Sequence, residues 1–181
     1  VSILINNASF NPQPNDLSKS LFEKYSLKKW NSEINVGLTG AFLCSKIFGS
    51  QMVKAKLPGV IINISSDLSI ISPDNRLYNS GKKIKKAKPV SYSVVKTGIN
   101  GLTRYLATYW ASKNIRCNSL SPGGVENNQD IKFLKRLSKH IPLGRMAKKN
   151  EYHSAIQFLC SDASSYMTGQ NLIIDGGRSI W

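Results

Sequence analysis

Tyr92 and Lys96 stand four residues apart in the run Ser91-Tyr92-Ser93-Val94-Val95-Lys96. On a helix, side chains at i and i+4 share a face, so the phenol and the ammonium would sit together. A free phenol ionises near ~10, too high for a base at neutral pH. A neighbouring ammonium favours phenolate and lowers that value, which suits the pair to proton transfer in carbonyl and alcohol chemistry. Ser66 closes the strand-like run Val60–Ser66 upstream, and its hydroxyl could donate to a carbonyl oxygen. A lone tyrosine–lysine pair means little in a lysine-rich chain. The ordered set of Ser66, Tyr92, Lys96 and then Ser121-Pro122-Gly123-Gly124 means much more.

Tyr78 and Lys82 form a second pair with the same spacing, 12 residues after Ser66, whereas Tyr92 follows by 26. Local propensity decides between them. Asn79, Ser80 and Gly81 are poor helix formers, so Tyr78 and Lys82 would not share a helical face. After Tyr92, Val94, Val95, Ile99, Leu102, Leu106 and Tyr109 recur with helical spacing and predict a buried stripe. Tyr92 is therefore the expected acid/base.

The elements that must position these groups alternate between strand and helix. Val1–Ile5 and Val60–Ile64 are short apolar runs suited to buried parallel strands. The region from Trp30 to about Lys56 reads as a helix with Ile34, Leu38, Ala41, Phe42, Ser45, Phe48 and Met52 on one face. Phe10–Ser18, with two prolines, is a loop. A helix from about Ser91 to Ser112 precedes a strand at Ile115–Leu120. Helices at Gln129–His140 and Asn150–Cys160 lead to a last strand at Leu172–Ile174. This alternation predicts one α/β domain over 1–181, with a parallel sheet and right-handed crossovers.

Four segments give the chain its family likeness: Ile5-Asn6-Asn7-Ala8-Ser9, Asn63-Ile64-Ser65-Ser66, Tyr92 to Lys96, and Tyr166 through Asp175-Gly176-Gly177. In this order they resemble the short-chain dehydrogenase/reductase family. The resemblance implies a Rossmann-like, doubly wound parallel sheet and NAD or NADP as cofactor. The substrate would be a small carbonyl or alcohol. Ser66, Tyr92 and Lys96 would be catalytic. Asn7, Ala8, Tyr92, Lys96, Pro122, Gly123 and Val125 would line the cofactor. The family's opening glycine-rich turn does not occur, and the chain opens on Val1. The expectation is therefore a C-terminal part, holding strands four to seven of the family's seven.

The likeness also marks departures. Family members carry an asparagine seven residues after the tryptophan that opens the helix, where it holds a proton-relay water. Here that position is Gly37, and Asn35 falls two residues early. A kink at Gly37 could bring Asn35 in. Residues 67–90 form an insertion beside the site, and 128–148 correspond to the family's substrate lid. The insertion holds Lys82, Lys83, Lys85, Lys86 and Lys88. They read either as a solvated charge run or as a funnel for an anionic substrate. The insertion, Gly37 and the run from Ser121 to Gln129 look like reductases of nonulosonic-acid and flagellin-glycan synthesis. A 3-oxoacyl-carrier-protein reductase is the alternative within the class, and a catalytically silent assembly subunit is the alternative outside it. Relatives pair through the helices matching Trp30–Lys56 and Ser91–Ser112, which implies a homodimer or homotetramer.

Composition narrows the classes. The net charge is +15 over 181 residues, 41% of them hydrophobic. The lysines are spread over most helices, and no nucleic-acid-binding motif accompanies them, so no nucleic-acid partner is expected. No apolar run approaches the ~20 residues of a membrane span. Cys44, Cys117 and Cys160 are isolated, with no metal-ligand spacing, and suit a reducing cytoplasm. His140 and His153 read as surface residues, and no metal is expected.

Overall fold

The computed structural model describes all of the chain except residues 12–19, Ser80 and Lys82. Most of the expected Phe10–Ser18 loop, and the lysine of the second tyrosine–lysine pair, lie outside the described residues. Four strands form one parallel sheet in chain order: β1 (Ile3–Asn6), β2 (Gly59–Ile64), β3 (Ile115–Pro122) and β4 (Asn171–Ile174). Alternation along the strands feeds two cores. On one face, Ile61, Ile115 and Cys117 pack with Met52, Leu106 and Trp110. On the other, Ile62 and Leu120 pack with Ala155 and Leu159. Helices thus cover both faces, as a buried parallel sheet requires.

The first helical stretch is made of α1 (Leu27–Ile34), α2 (Gly40–Cys44) and α3 (Ser50–Ala55), joined by π turns at Asn35–Thr39 and Ser45–Gly49. It starts ahead of the expected Trp30 because the Ser26 hydroxyl accepts the Lys29 amide at 3.3 Å and caps it. Its buried stripe also differs from the expected one. Glu33, Gly37, Ala41, Ser45, Gly49 and Met52 are buried, whereas Phe42 and Ile47 are exposed. A four-residue repeat drifts on an ordinary 3.6-residue helix, and the two wide turns take up that drift. The stripe is made of small residues because α4 (Val90–Trp110) lies directly on it. A Cβ on Gly37 would meet Val95 Cγ1 at 2.6 Å, and one on Gly49 would meet the Trp110 ring at 2.3 Å.

On α4, Val95, Ile99 and Leu106 are buried as expected, but Val94 and Tyr109 are exposed. α5 (Ile131–Ser138) is capped by the Asp130 carboxylate, which accepts the Lys132 and Phe133 amides. α6 (His153–Cys160) follows one turn of tighter helix at Lys149–Tyr152. β1 is the sheet edge among the described residues, with Ile3 45% and Ile5 42% exposed.

The close contact makes Gly49 sensitive. Gly49→Ala should overpack the Trp110 ring and cost about 1–3 kcal/mol, read as a lowered urea midpoint. An unchanged midpoint would mean that helix and ring separate freely.

Candidate active site

The register of the parallel strands brings the ends of β1, β2 and β3 to one edge, since Asn6 pairs with Asn63 and Asn63 with Ser119. Side chains tie this edge together beneath the site. Asn6 donates to Asn63 at 2.7 Å and to Ser45 at 3.0 Å, and Asn63 donates to Thr103 of α4 at 2.9 Å. These bonds link two strands and both helical stretches. All the polar atoms they use are in buried or half-buried positions, where an unmade bond would be costly.

The two serines after β2 have different fates. Ser65 is buried and donates to the Lys96 carbonyl at 2.8 Å, so its hydroxyl is spent on α4. Ser66 borders a cavity of about 440 Å³. Its hydroxyl donates to Asp67 Oδ1 at 2.8 Å and accepts from the Leu68 amide at 3.2 Å. Tyr92 borders the same cavity from the first turn of α4, where its amide donates to the Pro89 carbonyl at 3.1 Å. Lys96 lies one turn on, 4% exposed, and its ammonium donates to the Ile64 carbonyl at 2.8 Å. Its Nζ stands 5.6 Å from the centre of the Tyr92 ring. Pro122, Gly123 and Val125 form the opposite wall, following β3. Asn7 and Ala8, just past β1, are exposed.

Burial sets the protonation of the pair. It pushes the Tyr92 phenol up; the Ser66 hydroxyl acts the other way, and the Asp67 charge adds to the rise. Burial also draws the Lys96 ammonium down to about 8. In this structure desolvation is the largest influence on Tyr92, and its direction is opposite to the lowering expected from a neighbouring positive charge.

Tyr78 serves a different purpose. It sits in a single tight turn at Asn75–Tyr78 and stacks on Phe133 of α5, with ring centres 5.5 Å apart. Burial pushes its phenol up to about 12. Leu77 packs with Leu137, Ile141 and Met146, and Arg136 donates to the Leu77 carbonyl at 2.9 Å. Residues 67–90 and 128–148 therefore share one small core, although the sequence presents them as separate segments.

Two further departures concern proton traffic. Asn35 does not swing in at the π turn: it stays exposed, with its side chain accepting from Thr39 at 3.4 Å. Val95 fills the space beside Gly37. One turn earlier, buried Glu33 accepts from Tyr25 and from Ser91, the residue before Tyr92, while Tyr25 and Ser91 hydroxyls lie 2.8 Å apart. Nothing in the sequence separated this glutamate from a solvated one.

Arg178 was also missed. The turn after β4 carries it into the cavity wall, where it pairs with Asp67 at 2.6 Å, both side chains nearly buried. The Asp175 carboxylate holds this turn by accepting the Gly177 amide at 2.9 Å and the Ser179 amide at 2.7 Å. Asp67 follows Ser66 directly, so Arg178 balances the one carboxylate among the described residues that borders the cavity.

The family model described as enoyl-(acyl carrier protein) reductase matches residues 1–179. The chain belongs to the short-chain dehydrogenase/reductase family. It is 36% identical over 179 residues to trans-4-hydroxycyclohexanecarboxylate dehydrogenase of Sinomonas cyclohexanicum, covering 99% of this chain and 61% of that protein. It is 33% identical to a 3-oxoacyl-[acyl-carrier-protein] reductase of Thermotoga maritima, covering 99% and 67%. A short-chain dehydrogenase from Leptospira borgpetersenii, solved with bound NAD+, superposes with a TM-score of 0.88 at 35% identity, covering 98% of this chain and 65% of that one. The chain thus spans less than two thirds of the length of the first and the last of these. Among the described residues, no helix is long and apolar enough to cross a membrane, and no cluster of metal-binding side chains occurs.

The buried ion pair gives a test by double mutation. Arg178→Met strands the Asp67 carboxylate and should cost about 3–5 kcal/mol, and adding Asp67→Asn should recover most of it. Urea unfolding of the two variants reads this directly. Equal stability of the single and double variants would show that the pair carries no coupling.

Proposed function

We propose that this chain supplies the catalytic and C-terminal part of an NAD(P)-dependent oxidoreductase acting on a carbonyl or alcohol substrate. The observation that carries the reading is the meeting of Ser66 and Tyr92 at one cavity, with Lys96 one helical turn behind Tyr92, at the carboxyl ends of a parallel sheet, where such folds bind ligands. The nicotinamide, when bound, accepts or supplies the hydride. Tyr92 takes the alcohol proton in oxidation and returns it to the alkoxide oxygen in reduction. Ser66 donates to the substrate oxygen and orients it.

The residues fit a dinucleotide. An ammonium has three donors, and Lys96 uses one on the Ile64 carbonyl, which leaves two for ribose hydroxyls. Asn7 and Ala8 lie exposed at the β1 end, within the same edge. Pro122, Gly123 and Val125 form a wall suited to the flat ring. The retained Ser66, Tyr92 and Lys96 favour this reading over a silent assembly subunit. Paired copies are supported by exposed Phe42, Leu43 and Ile47 on the first helical stretch and by stacked, exposed Tyr105 and Tyr109 on α4. Residues 128–148 are read as the lid, a reading supported by Gln129, Phe133 and Met146 bordering the cavity.

Within the class, a metabolite with an anionic group suits the cationic wall better than a neutral one. A 3-oxoacyl-carrier-protein reductase is the second reading, favoured by the Thermotoga relative.

In the intact protein, Tyr92→Phe should lower turnover at least ~100-fold, the usual contribution of a lost acid/base group. It should largely spare cofactor binding. Tyr78→Phe should remain active, since its hydroxyl is not used. Steady-state rates and cofactor titration check both. A dead Tyr78→Phe enzyme beside an active Tyr92→Phe enzyme would reverse the assignment.

A further inference from the structure

Among the described lysines of the insertion, only Lys88 borders the cavity. Lys83 and Lys85 are exposed, and their segment is fastened by its backbone: the Lys85 and Lys86 amides donate to Asn79 Oδ1 at 2.7 and 2.9 Å. Lys88 is fastened too, its amide donating to Asn75 Oδ1 at 3.2 Å. Its side chain runs over the Tyr92 ring, with Nζ 4.1 Å from the ring centre. That is closer than the 5.6 Å of Lys96. The ammonium donates to Asn11 Oδ1 at 2.6 Å and has no carboxylate partner among the described residues. Burial draws it down to about 8, while Asp67 and Glu33 hold it up and Lys96 and Arg178 press it down. It therefore stays mostly charged at neutral pH.

A charge so placed is costly unless something answers it. Asp67 cannot, because Arg178 holds its carboxylate. That same pair occupies the one guanidinium bordering the cavity, so the forked donor that best suits a dianionic phosphate is engaged. Of the described lysines bordering the cavity, Lys88 and Lys149, it is Lys88 whose ammonium stands over the reacting phenol with spare donors. That matches a single negative charge within a few bonds of the reacting carbon.

We propose that Lys88 is a specificity-determining residue, which selects substrates carrying a carboxylate close to the carbonyl or carbinol carbon. The inference rests on the reading of Tyr92 as the acid/base, and it names the substrate class of that site as hydroxy or oxo acids.

The experiment separates the two readings by measuring binding apart from turnover. Calorimetric titration of the intact, cofactor-saturated protein would use tartrate, its uncharged counterpart threitol, and inorganic phosphate. Wild-type protein should bind tartrate more tightly than threitol or phosphate. Lys88→Met keeps the apolar stem over Tyr92 and should weaken tartrate about 10- to 100-fold, the range of a lost charge-assisted hydrogen bond. It should leave threitol unchanged. Lys88→Arg should restore tartrate binding to within about threefold. Thermal unfolding confirms that each variant is folded. Equal tartrate affinity in wild type and Lys88→Met, tartrate no better than threitol in wild type, or tighter binding of phosphate would each overturn the proposal. A Tyr92→Phe protein that binds tartrate normally but turns over no substrate keeps both readings. One with undiminished turnover overturns the acid/base assignment while leaving the tartrate comparison standing.

Discussion

α4 and β2 hold each other by a reciprocal pair of bonds at the strand end. Lys96 donates its ammonium to the Ile64 carbonyl, and Ser65 donates its hydroxyl to the Lys96 carbonyl, each at 2.8 Å. Every other feature of the site is referred to this clamp. It sets how far along the strand the first turn of α4 stands, and hence where Tyr92 meets Ser66. The cross-sheet chain of Asn6, Asn63 and Thr103 repeats the arrangement one layer below. A helix held by two such layers cannot slide by a residue without breaking buried hydrogen bonds, each of which would leave a polar group unsatisfied.

Desolvation is the common electrostatic influence on the cavity. It raises the phenol of Tyr92 and lowers both ammonium groups beside it, so groups of similar ordinary acidity are driven apart in opposite directions. The proton therefore rests on Tyr92 in this structure. The Asp67 carboxylate adds to the rise of Tyr92 even though it is paired with Arg178.

The legible parts of the sequence are those governed by short-range rules. The alternation of strand and helix, the α4 boundaries within a residue or two, and the choice of Tyr92 over Tyr78 as a helix-borne phenol follow from spacing and propensity. The order of the strands comes from the family resemblance, not from spacing. The missed parts depend on contacts between distant segments. Of the expected stripe, Ala41, Ser45 and Met52 are buried and Ile34 and Leu38 pack beside them, but Phe42 is exposed because two π turns hand the face between them to Gly37 and Gly49. A four-residue repeat of small residues was the available clue. Arg178 gives no local sign, since its partner Asp67 is 111 residues away, and the burial of Glu33 depends on Ser91, 58 residues away, as well as on nearby Tyr25. The lysine run was legible as charge but not as geometry, and one member of it borders the cavity.

The shared core of Leu77, Leu137, Ile141 and Met146 bears on how such an enzyme can change its substrate range. Residues 67–90 and 128–148 are two halves of one apolar contact, stacked ring on ring through Tyr78 and Phe133. Grafting either segment alone onto a relative would leave an uncovered apolar surface at the mouth of the cavity. The two therefore constitute a single exchangeable cassette, despite the roughly 40 residues that separate them in the chain.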